Sequence, residues 1–76
     1  MKEKINKILK EIRPEFEFSE IDNFFDNGML DSFDMMILVP EIEKEFGIKI
    51  DGADIVFENF CNFEAIEKLI LKNGAK

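Results

Sequence analysis

Ser32 is the residue best placed to take part in chemistry, because of what flanks it. Within Gly28-Met29-Leu30-Asp31-Ser32-Phe33-Asp34 the hydroxyl follows an aspartate and precedes the apolar run Met35-Met36-Ile37-Leu38-Val39. Asp31 is suited to N-cap a helix, since its carboxylate can accept from the unpaired amides of the first turn. Ser32 then falls in that first turn, at the positive end of the helix dipole. An anion such as phosphate is well accommodated there, because free N–H groups and the dipole both favour it. Asn27 and Gly28 permit a turn that brings the segment to the surface. On these residues alone, plain capping and a phosphate-bearing serine are both open readings.

Other chemistries are poorly provided for. The chain has no histidine, so a Ser-His or Cys-His nucleophile pair cannot form within it. Cys61, the one cysteine, excludes an internal disulfide framework and does not resemble a metal site. Asp51 and Asp54 around Gly52 lack the alternating carboxylates of a calcium loop and read as surface turn residues. No catalytic residue and no metal ligand set is expected. A net charge of −7 repels nucleic acid and anionic membranes and suits basic partner surfaces. Met1 to Arg13 lacks the apolar core of a signal peptide, and no stretch approaches the roughly 20 apolar residues of a membrane span. The expectation is a soluble, cytoplasmic single domain over residues 1–76, apolar enough at 46% hydrophobic residues to fold. Its net stability should be about 3–5 kcal/mol.

The elements that must position Ser32 are helical. Ile5, Ile8, Leu9 and Ile12 follow an i, i+3, i+4, i+7 pattern, which predicts an amphipathic first helix ending near Arg13, before Pro14. Its lysines read as a solvated face. From Glu15 to Leu30 neither period holds, yet Phe16, Phe18, Ile21, Phe24, Phe25, Met29 and Leu30 are strongly apolar. That pattern predicts a long loop pinned over the core, in which Ser19 could cap a short turn. A second helix is predicted from about Ser32 to Phe46, stopped by Gly47, with Leu38, Ile42 and Phe46 in its buried stripe. Pro40 should kink or loosen it around Met36 without splitting it. Ile48-Lys49-Ile50 allows two short strands, but an extended connection is preferred, followed by a short helix or turn near Asp54 to Phe57. The last helix should begin at Asn62 and run to about Leu71, with Phe63, Ile66, Leu69 and Ile70 inward and Asn73-Gly74 closing it.

With this order of elements, Asp31-Ser32-Phe33 and its preceding Gly and Leu resemble the phosphopantetheine attachment motif of acyl carrier proteins. Asp31 to Phe46 carries the likeness most strongly. Ile48-Lys49-Ile50 and the segment Glu58 to Ile66 resemble the family's third-helix exit and fourth-helix start. The resemblance implies an all-α fold, a small four-helix bundle of three longer helices and one short one, with a long loop between the first two. It further implies 4'-phosphopantetheine from coenzyme A, esterified to Ser32 by a separate phosphopantetheinyl transferase. The protein would then be a phosphoprotein and a substrate of enzymes, not an enzyme itself. An acyl or aminoacyl group would ride on the arm as a thioester. The implied partners are the transferase, an acyl- or aminoacyl-loading ligase, and downstream synthases with basic docking surfaces; a monomer is the default for such a shuttle.

For partner contact the candidates are Asp31, Asp34, Met35, Met36, Ile37, Glu41 and Glu43. Capping competes with recognition at Asp31, and a merely solvated face competes at Glu41, Glu43 and Glu45. Met35, Met36 and Ile37 form either a greasy docking patch or a surface partly covered by the loop. Carriers of fatty-acid synthesis usually continue an acidic face along this helix; here Ile37 occupies one such position, and Pro40 stands in place of a helix-favouring residue. The departure leaves open D-alanine carrier proteins and carriers of specialised pathways. Two other classes compete: an unmodified acidic interaction module of the same fold, and a hydrolase using Ser32, which has no evident base.

Overall fold

Ile5, Ile8 and Leu9 turn one face of α1 (Lys2–Ile12) into the core, as their spacing predicts. The computed structural model describes residues 1–19 and 21–74. At the end of α1 Arg13 leaves helical geometry, with its amide still donating to the Leu9 carbonyl at 2.8 Å. Pro14 then enforces the exit. The lysines of α1 do more than face water. Lys10 Nζ donates to the Phe16 carbonyl at 3.0 Å, and Lys2 Nζ stands 5.0 Å from the centre of the Phe63 ring.

The following loop is held by its own aromatics. Phe18 and Phe24 are fully buried. Phe24 packs edge-on against Phe18 at 5.1 Å and against Phe63 at 5.5 Å. Such pairs add about 0.5–1.5 kcal/mol beyond the burial of their area. The backbone of Phe24 is also engaged, its amide donating to the Cys61 carbonyl at 2.7 Å and its carbonyl accepting from Met29 and Leu30. Asn23 Oδ1 accepts from the amides of Phe25 and Asp26, both at 3.0 Å. The Asn62 side chain donates to the Asp22 carbonyl at 3.2 Å. The loop is therefore clamped to the start of the last helix, and Met29 and Leu30 are buried as it reaches Asp31. Among the described residues no amide donates to the Ser19 hydroxyl, which itself donates to Glu17 at 3.2 Å.

Helix α2 (Ser32–Phe46) runs unbroken through Pro40 and ends at Gly47, which adopts the left-handed conformation at φ 63°. Pro40 has no N–H for the Met36 carbonyl. Both residues are exposed, so water can donate in its place. Met35, Leu38, Val39 and Ile42 face the core on either side of that point.

Between α2 and the last helix no strand forms among the described residues. The short fourth helix expected near Asp54 to Phe57 is instead two separate 3-10 turns, Gly52–Asp54 and Phe57–Asn59. Asp51 caps the first by accepting from the Ala53 amide at 3.0 Å. Val56 is extended, at φ −133° and ψ 154°. That break is natural for the β-branched pair Ile55-Val56. Among the described residues the fold is thus all-helical, with three α-helices and two single 3-10 turns. Asp54 also pairs with Lys72 at 2.9 Å, which raises the Lys72 pKa, chiefly through their hydrogen bond.

Helix α3 (Phe63–Lys72) starts at the cap Asn62, whose Oδ1 accepts from the Ala65 amide at 2.8 Å, and it buries Phe63, Ile66, Leu69 and Ile70. Helix α1 packs against both α2 and α3, and the second 3-10 turn packs against α3. No helix of the described residues is long and apolar enough to cross a membrane.

Two stability predictions follow from the packing. Phe24→Ala should cost about 3–5 kcal/mol, the usual loss for a buried ring. Because that matches the whole expected stability, circular dichroism should show a largely unfolded chain at 25 °C. At Gly47 an added Cβ would meet nothing within 4 Å. Gly47→Ala should therefore cost only the left-handed backbone penalty, about 1–2 kcal/mol, read as a lower urea midpoint with an unchanged slope.

Candidate functional site

Ser32 is the first residue of α2 and is exposed. Among the described residues its hydroxyl has no hydrogen-bond partner. The amides of Ser32 and Phe33 are at positions that lack acceptors within the helix. Those of the next two residues are taken: Asp34 donates to Asp31 Oδ1 at 2.9 Å, and Met35 donates to the Asp31 carbonyl at 3.0 Å. What remains at this end of α2 is a free hydroxyl beside two unpaired donors.

The capping is reciprocal. Asp31 is extended, at φ −131° and ψ −176°, and its own amide donates back to Asp34 Oδ2 at 3.3 Å. This is a capping box with aspartate at both positions. Arg13, from the end of α1, completes it. Its Nε and one terminal nitrogen each lie 2.9 Å from Asp34 Oδ2, and that terminal nitrogen is 3.6 Å from Asp31 Oδ2. The hydrogen bond and the charge of Asp34 raise the Arg13 pKa, with Glu15 adding less.

Asp34 and Met35, expected as outward partner contacts, instead lie inward. Asp34 is only 5% exposed, because its carboxylate is drawn inward by Arg13 and by the cap. Met35 is 8% exposed and belongs to the core stripe. Glu43 is half-buried, and its carboxylate accepts from the Ile50 amide at 2.8 Å, which ties down the connection after α2. Asp31, Met36, Ile37 and Glu41 are exposed as expected.

Phe33 and Arg13 are the residues of the site that escaped the sequence. Phe33 is 74% exposed and Met36 67%. With Ile37 and Pro40, also exposed, they form an i, i+3, i+4, i+7 stripe out of phase with the buried one. That spacing was readable, but it is masked by the continuous apolar run. Arg13 gave no signal, since it lies 21 residues from Asp34 in the chain.

Chemically, the site offers a nucleophile without a base. Both nearby carboxylates are occupied, Asp31 as a cap and Asp34 in its pair with Arg13. A phosphodiester on Ser32 fits this end of the helix, because the hydroxyl is accessible and the two unpaired amides and the dipole favour an anion. No group of His, Cys, Asp and Glu among the described residues is arranged to hold a metal ion.

The comparisons with known proteins agree with that chemistry. No curated protein and no solved structure matches the chain significantly. A family model described as the phosphopantetheine attachment site matches residues 1–70, nearly the whole chain. The chain therefore belongs to the phosphopantetheine-binding carrier family, whose members bear covalently attached 4'-phosphopantetheine.

Proposed function

We propose that Ser32 is the attachment point and that the protein, a single domain acting as a cytoplasmic monomer, shuttles an acyl or aminoacyl group between partner enzymes. The observation that carries this reading is the exposed Ser32 hydroxyl at the first position of a doubly capped helix. A phosphopantetheinyl transferase would remove the Ser32 proton with its own base. The serine oxygen then forms a bond to the pantetheine-bearing phosphorus of coenzyme A, and the phosphoanhydride bond breaks to release adenosine 3',5'-bisphosphate. The arm supplies a terminal thiol on which the cargo is held as a thioester. This chain contributes the nucleophile, the anion-favouring helix end and a docking face.

That docking face is the outward stripe of α2. Phe33, Met36 and Ile37 offer apolar contacts, with Asp31 and Glu41 as acidic groups beside them. Exposed acidic pairs are individually weak, which suits rapid release. Methionine and an aromatic ring adapt to several partners in turn. Partners that fit include the transferase, a loading ligase, and downstream synthases whose docking sites combine apolar and basic groups. An apolar docking stripe in place of a continuous acidic face favours an aminoacyl carrier, such as a D-alanine carrier, or a carrier of a specialised pathway over housekeeping fatty-acid synthesis.

Incubated with coenzyme A and a broad-specificity phosphopantetheinyl transferase, the apo protein should gain the mass of one arm, and Ser32→Ala should gain none. A folded wild-type protein refused by every such transferase would overturn the assignment. Met36→Ala, at an exposed position, should leave kcat nearly unchanged and raise the transferase KM roughly tenfold, equivalent to about 1.4 kcal/mol of lost contact. Steady-state kinetics with coenzyme A in excess reads both constants.

A further inference from the structure

The geometry assigns Arg13 and Asp34 as positioning residues, a latch between α1 and α2 that holds the Ser32 hydroxyl in register for modification. This inference rests on Ser32 being the attachment point. One oxygen, Asp34 Oδ2, collects three donors: Arg13 Nε and a terminal Arg13 nitrogen, each at 2.9 Å, and the Asp31 amide at 3.3 Å. The residues immediately before Ser32 and two after it are thereby fixed to each other and to a residue from a different helix. The Asp31 carboxylate is drawn to the same guanidinium at 3.6 Å. Ser32 itself contributes nothing to the arrangement, so its hydroxyl stays free while its backbone is clamped on both sides.

Global stability is a poor explanation for so specific a cluster. Arg13 is about a third exposed, and exposed ion pairs contribute little to folding. The forked guanidinium, by contrast, fixes orientation as well as charge. Removing Arg13 leaves the nearly buried Asp34 carboxylate without its cation. The carboxylate must then turn toward water, releasing the Asp31 amide and loosening the first turn of α2. A small loss of placement at a reacting atom is costly, with a displacement of about 1 Å able to cost on the order of a hundredfold in rate.

The test uses Arg13→Gln, Arg13→Lys, Asp34→Asn and the Arg13→Gln/Asp34→Asn double variant. Each is first shown to be folded by circular dichroism, and each is assayed as the apo protein with coenzyme A and the transferase. Arg13→Gln and Asp34→Asn should lower kcat about tenfold with KM little changed, the reverse of the split expected for a docking residue. The double variant should be no slower than the slower single one, because both substitutions break the same contact. Arg13→Lys, which keeps the charge but not the fork, should fall between wild type and Arg13→Gln. Amide hydrogen exchange should quicken at Asp31 and Asp34, whose amides the latch engages, in Arg13→Gln while the α3 amides stay unchanged. If Asp34→Asn does not fold, the two Arg13 variants decide the matter by the same readings. A folded Arg13→Gln modified at the wild-type kcat, with Ser32→Ala still inert, overturns the latch and leaves the attachment point standing. Modification of Ser32→Ala overturns the attachment point, and the latch with it.

Discussion

A carboxylate buried in a small protein must find compensating charge and hydrogen bonds, and in this chain that requirement falls on Asp34. Without them such a group must turn back toward water and give up its place in the cap. Arg13 and the Asp31 amide meet the need together, and in doing so they join the end of α1 to the beginning of α2. The aromatic loop between those helices is then closed at both ends. One end is the Arg13 junction, and the other is Phe24, wedged between Phe18 and Phe63. A segment with little regular structure of its own is thus delivered to one place, the turn at which Ser32 emerges.

Helix α2 works on two sides at once. Its inward side, Met35, Leu38, Val39 and Ile42, supplies core contacts, while Phe33, Met36 and Ile37 remain in water. Pro40 lies within this helix without interrupting it. An apolar side chain left exposed gains nothing for folding, so this outward stripe is best understood through what meets it from outside.

Much of this was legible in the chain. The spacing of Ile5, Ile8 and Leu9, the cap Asp31, the stop at Gly47 and the cap Asn62 each reflect local rules, and each element lies where those rules put it. The burial of Phe18, Phe24, Met29 and Leu30 was readable from composition alone, without periodicity. What could not be read depended on contacts distant in sequence. Asp34 looked like an outward acid because nothing local announces Arg13. Glu43 looked like an outward acid, for partner contact or plain solvation, because its acceptor role depends on how the chain returns at Ile50. Met35 and Met36 are adjacent in a uniformly apolar run, so only helical phase separates the core residue from the surface one. The stretch from Gly52 to Asn59 became two turns because the Asp51 cap and the stiff Ile55-Val56 pair outweighed a weak helical tendency.

The outward stripe has a consequence for how copies of this protein treat one another. Two such helices could in principle meet face to face and hide their apolar residues from water. A net charge of −7 on each molecule opposes that encounter over the roughly 8 Å screening distance of physiological salt, while the same charge draws in a surface of opposite sign. Self-repulsion and attraction to basic surfaces thus come from one property, and in the proposed docking role the apolar contact falls to molecules that arrive with the complementary field.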